Sequence, residues 1–193
     1  MMTKLHFSFS KRNFLFFLFL FNFLYVNASY ILINMDGEQS NHLKAYGIAY
    51  LSIEKEIDVK WLLNYKGGSF LIKADNLIEN ECKIRNVSYK LIADLQSNKI
   101  LNDISKNDVN QEVIRLEKPP RIAIYSPKNK QPWDDAVTLA LTYAEIPYDI
   151  IYDEEVMSNL LPIYDWLHLH HEDFTGQYGK FYSIYKNAKW YRD

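Results

Sequence analysis

An α/β fold, with a doubly wound, mostly parallel sheet and helices on both faces, is the class this sequence predicts, and three observations predict it. Short runs rich in Ile, Leu, Val or Tyr alternate with helix-like stretches along residues 29–193, as strands joined by crossover helices do. Most runs are short and dominated by large apolar side chains, as strands buried on both faces should be. About 165 residues follow the N-terminal segment, enough for one domain with a sizeable core and too few for two comfortable ones.

The elements follow in order. Residues 1–28 read as a secretory signal peptide. Lys4, Lys11 and Arg12 make a basic start, Phe14 to Val26 an apolar run, and Val26-Asn27-Ala28 a cleavage site. As a helix that run reaches only about 20 Å, short of the roughly 30 Å hydrocarbon core. Cleavage after Ala28 and export, to a periplasm, is the expectation, with an uncleaved membrane anchor as the alternative. No stable membrane span is expected after cleavage.

Six strands are expected: Ile31 to Met35, Val59 to Tyr65, Val87 to Ile92, Arg121 to Tyr125, Tyr148 to Tyr152 and Asp165 to His170. Between them Trp133 to Glu145 carries Trp133, Val137, Ala140, Leu141 and Ala144 on one helical face. Pro132 at its start and Asp134 and Asp135 in its first turn suit a helix N-terminus. His42 to Glu54 and Tyr178 to Tyr191 are the other helices. Pro119-Pro120 marks the one internal boundary, near 117–120, between two βαβ-type halves.

Charge and cysteine count exclude whole classes. Losing residues 1–28 removes three basic and no acidic side chains, leaving 19 of 22 Lys+Arg against 24 Asp+Glu and taking the formal charge from −2 to −5. Nucleic acid is therefore not the expected partner; a small molecule or an envelope protein is. Cys82 is the single cysteine, so no intramolecular disulfide forms. Four residues after Ile78 on a helical face, it reads as a small core hydrophobe rather than a nucleophile.

A parallel open sheet binds ligands beyond the carboxyl ends of its strands. Asp36 follows the first run; Lys66, Gly67 and Gly68 follow the second. Two glycines let backbone N–H groups converge on an anion, with Lys66 adding charge, although the same residues suit a hairpin turn joining Val59–Tyr65 to Phe70–Ile72. Ser126 follows the fourth run. After the last run come His170, His171, Glu172 and Asp173. His168 and His170 share a strand face, and with Asp173 they make a candidate metal site for zinc or iron that would activate water for hydrolysis. The competing reading of His171 and Glu172 is a solvated strand end or a ligand-binding corner.

Four segments carry a resemblance: NHLKAYG (Asn41 to Gly47), WLLNYKGGSF (Trp61 to Phe70), SPKNKQPWDDAV (Ser126 to Val137) and YDWLHLHHEDFTGQYGKF (Tyr164 to Phe181). They resemble an exported bacterial family whose members often carry the label asparagine synthetase B. The second half is also similar to the class I glutamine-amidotransferase-like fold, a flavodoxin-like arrangement. The resemblance implies that fold and no catalytic residues. An asparagine synthetase would need an N-terminal cysteine nucleophile and an SGGxDS-type pyrophosphate loop, and neither stands in this sequence. The amidotransferase elbow would fall near Thr175-Gly176-Gln177, which has no cysteine. The family's members run on past Asp193, so a longer parent chain is the expectation. The functional expectation is a ligand-binding or non-catalytic envelope module, with a metal-assisted hydrolase as the alternative.

Overall fold

The structure, a computed structural model, describes residues 29–106, 108, 110–126, 136–169 and 174–192. The signal-peptide assignment, the helix start at Pro132 to Asp135, and His170, His171, Glu172 and Asp173 lie outside these residues.

The chain is mixed α/β, as expected, but its strands divide between two sheets that differ in direction. The first half runs β1 (Tyr30–Ile33), α1 (His42–Glu54), β2 (Val59–Leu63), β3 (Ser69–Lys73), α2 (Asn76–Ile84), β4 (Lys90–Ile92), α3 (Asp94–Ile104) and β5 (Glu112–Leu116). Its five strands lie in the order β4-β1-β3-β2-β5. Every neighbouring pair is antiparallel, with Ile31 opposite Ile72 and Leu91, and Trp61 opposite Phe70 and Ile114. The first four strands with α1 and α2 trace βαββαβ, two interlocked split βαβ units with the ferredoxin-like connectivity.

This half corrects the expectation of one mostly parallel sheet. A strand buried on both faces is apolar whichever way its neighbours run, so composition does not report direction. One further strand was foreseen as a hairpin arm at Phe70–Ile72, and one was hidden. Ser69–Lys73 is the second arm of the hairpin that the Gly-Gly pair allowed, and Glu112–Leu116 is a half-exposed edge strand with charges at Glu112 and Arg115. The run at Val87 to Ile92 shortens to three strand residues, because Val87 turns into the core beneath α1 and α2.

Helices do cover both faces of this sheet. On one, Ala45, Ile48 and Ala49 of α1 and Ile78 and Cys82 of α2 bury against Ile31, Ile33, Val59, Phe70 and Ile72. On the other, Ile104 of α3 packs with Leu32, Leu62, Leu71 and Ile92. Asn41 caps α1 by accepting from the Lys44 amide at 3.1 Å, and Asp75 caps α2 by accepting from Leu77 at 2.8 Å. Each cap satisfies an amide that lacks an intrahelical partner, worth about 1 kcal/mol. Cys82 is fully buried, and desolvation pushes its thiol up to about 12, so it is core, as its spacing predicts.

The second half runs β6 (Ile122–Tyr125), α4 (Ala136–Ala144), β7 (Asp149–Ile151), α5 (Asp153–Met157), a 3₁₀ turn at Leu161–Ile163, β8 (Trp166–Leu169), α6 (Phe174–Tyr185) and α7 (Lys189–Arg192). Its three strands are parallel and lie in the order β7-β6-β8. Here the parallel expectation holds. The helix read as Tyr178 to Tyr191 begins earlier, at Phe174, and breaks at residues 186–188 into two. Pro119-Pro120 falls between β5 and β6, where the chain passes from one sheet to the other.

The two halves meet where α1 crosses α4. Gly47 makes the crossing close: a Cβ there would stand 1.8 Å from the Ala144 carbonyl oxygen. Around it Lys44 and Arg85 both reach Glu145, at 2.5 and 2.9 Å, and Asn41 donates to the Tyr143 hydroxyl at 2.8 Å. Two cations from the first half therefore stand at the negative end of the α4 dipole. They hold the Glu145 carboxyl below the usual glutamate range, the Lys44 bond contributing most.

Candidate functional site

In the parallel sheet the carboxyl edge is built from the ends of β6, β7 and β8. The chain leaves β6 for β7 on one side and later for β8 on the other, so the end of β6 is a topological switch point, where open α/β sheets leave a crevice. Ser126 stands there. Its amide extends the ladder by donating to the Ile151 carbonyl at 3.0 Å, which fixes its backbone against β7. Its side chain is 1% exposed, and its hydroxyl has no hydrogen-bond partner among the described residues. A buried hydroxyl left unpaired costs about 1–3 kcal/mol, so such groups need a reason.

Neighbouring side chains are already committed. Tyr125 donates to the Asp153 carboxylate at 2.6 Å, joining the end of β6 to the start of α5. That bond, followed by desolvation, pushes the Tyr125 phenol up to about 12. The Tyr125 and Tyr152 rings pack at a tilt, their centroids 5.1 Å apart. On β8, His168 is half-buried and sits opposite Ile124, with the Trp166 ring 6.4 Å away. Register thus places His168 level with Ile124, two residues back from Ser126.

Of the residues singled out in the sequence, Ser126 and His168 fall at this edge, and His170, His171, Glu172 and Asp173 lie outside the described residues. Among the described residues no group of three or more His, Cys, Asp or Glu could hold a metal ion.

Asp36, Lys66, Gly67 and Gly68 gather instead at the end of β1, in the other sheet. The Met35 amide donates to the Lys66 carbonyl at 3.0 Å, which brings the two loops together. Gly67, at φ +81°, is required by that approach, since a Cβ would lie 2.3 Å from the Met35 oxygen. These residues make the hairpin turn. The Gly68 and Ser69 amides both donate to the Tyr65 carbonyl at 3.0 Å, so neither is left for an anion. Asp36 accepts from the Glu38 amide at 3.2 Å, and His42 lies 3.1 Å from both the Met35 and Asp36 carbonyls. The two candidate groups therefore belong to different sheets and do not form one site.

Sequence reasoning passed over Asn34, Gln39 and Ser88. The signal for Asn34 was present, as one amide inside the apolar run Tyr30 to Met35. In comparisons with known proteins, no family model, no curated protein and no solved structure matches the chain.

Proposed function

We propose that this chain is an exported α/β ligand-binding module whose ligand sits at the carboxyl edge of β6, β7 and β8. The observation that carries the reading is Ser126: a buried hydroxyl at the switch point of a parallel sheet, with no hydrogen-bond partner among the described residues. A ligand's polar group there offsets the cost of that orphan hydroxyl, which makes affinity depend on it. The Tyr125–Asp153 bond holds the adjoining wall in place before a ligand arrives. In this reading β7-β6-β8 is the centre of a doubly wound sheet of flavodoxin-like or glutamine-amidotransferase-like kind, and the antiparallel sheet is a separate layer. Export follows the reading of residues 1–28, and N-terminal sequencing of secreted protein, expected to begin at Ser29, tests it. Among the described residues no helix is long and apolar enough to cross a membrane.

Ligand-observed NMR with a panel of sugars and nucleotides tests the binding reading. At least one compound is expected to bind, with affinity falling about tenfold in Ser126→Ala, the roughly 1.4 kcal/mol of one hydrogen bond. The free variant should be no less stable, since removing an unpaired hydroxyl relieves a cost. Identical binding by variant and parent sinks the proposal. Stoichiometric zinc lost in His168→Ala would redirect it to the metal-assisted hydrolase.

A further inference from the structure

At the end of β1, on the face of the antiparallel sheet covered by α3, a cleft of about 60 Å³ opens between the loop after β1 and the segment entering β4. Leu32 and Asn34 share that face, two residues apart on one strand, and Tyr89 makes the opposite wall. Glu38 and Lys90 flank it, their charged ends 3.6 Å apart.

The walls are preformed. The Gln39 carboxamide donates to the Asn34 carbonyl at 2.8 Å and to the Ser88 carbonyl at 3.1 Å. Its oxygen accepts from the Ser88 amide at 2.8 Å and the Asn41 amide at 3.2 Å. All four of its hydrogen-bonding positions are used, which fixes one side of the cleft. Ser40 donates to the Asn86 carbonyl at 2.6 Å and pins the loop further. Asn34 is the exception. It is 7% exposed, and its side-chain oxygen has no partner among the described residues. A hydrogen-bonded cleft with one buried amide oxygen unpaired among the described residues is a site built for a donor that arrives from outside.

We propose that this cleft binds a small free amino acid ending in a hydroxyl, with serine the fitting size. Against the cleft's volume of about 60 Å³, one water needs about 10–15 Å³, so the cavity has room for a few water-sized groups and admits a hydroxymethyl head. A hydroxyl both donates and accepts, so it satisfies the Asn34 carboxamide in either orientation. The opposite charges at the mouth match the other end of the ligand: Glu38 takes the α-ammonium and Lys90 the α-carboxylate. This site is separate from the Ser126 edge and does not depend on it.

Titration of ¹⁵N-labelled protein with L-serine and with L-alanine tests the assignment. L-serine is expected to shift the side-chain amide signals of Asn34 and Gln39 and to bind at least about tenfold more tightly than L-alanine, which lacks only the hydroxyl. Asn34→Leu should abolish that preference. Should Asn34→Leu not fold, the exposed Lys90→Glu gives the second reading, weakening both ligands by repelling the carboxylate. Absence of shifts at about 10 mM serine, a Kd too weak to be specific, overturns the proposal. So do equal affinities for serine and alanine.

Discussion

The two sheets are buried to different depths. Three residues in a row, Ile31, Leu32 and Ile33, are buried in β1 because helices cover both faces of the antiparallel sheet. The parallel sheet has one small cluster, Ile122, Ile124 and Leu141, while Ile150 of β7 and Leu167 and Leu169 of β8 stay 40–47% exposed. At roughly 25 cal/mol per Å² of apolar surface removed from water, depth of burial sets where stability resides. The antiparallel half is the stable scaffold, and the parallel half leans on it through α1 and α4. That division suits the proposed binding edge, since ligand-binding segments are drawn from the less protected elements.

The largest effect that would break this comparison comes from the scaffold. Ile33→Ala removes a fully buried side chain between β1 and the helices and should cost about 2–5 kcal/mol in denaturant unfolding. Ile124→Ala should speed amide exchange in β6, β7 and β8 while β1 and β3 stay protected; equal loss of protection in both halves would show one cooperative unit. Next is Gly47→Ala, whose methyl meets the Ala144 carbonyl. It should cost about 1–3 kcal/mol and expose α4 to exchange before β3. Gly67→Ala strains a left-handed residue against Met35 and should destabilise the scaffold by more than about 1 kcal/mol, with α4 unaffected.

A smaller effect sharpens the junction. Glu145 is held deprotonated by Lys44 and Arg85, so its contribution is present above the ordinary glutamate value near 4.3 and is lost as pH falls through its lower folded value. Thermal melts of Glu145→Gln should match the parent in acid and fall below it at neutral pH. The smallest effect is optical. Tyr125, raised to about 12 by Asp153, should ionise after ordinary tyrosines near 10 in an ultraviolet titration, and Asp153→Asn should bring it back. Because the folded value is the raised one, that bond's stabilisation is whole below about 10 and disappears towards 12.

The sequence showed the elements better than their arrangement. His42 to Glu54 has the same bounds as α1, because Asn41 supplies a side-chain cap that fixes where the helix starts. Strand direction was illegible at β1, whose apolar run suits either ladder. Glu112–Leu116 escaped because an edge strand half in water has neither a clean alternation nor a continuous apolar run. Ser126 was readable as a strand-end residue; its burial, and a hydroxyl without a partner among the described residues, depend on how the sheet packs, which no local pattern encodes. Gln39 and Ser88 are 49 positions apart, and only the β4-β1 pairing brings them together.

Cys82 lies in the deeper half, walled in between α2 and the sheet, with its thiol kept protonated by its surroundings. Thiolate is the form that reacts, so alkylating reagents reach this sulfur only when α2 lifts away. The unmodified chain therefore carries its own clock: the rate of Cys82 labelling counts openings of the antiparallel layer, with no engineered reporter and no second thiol to confuse the signal.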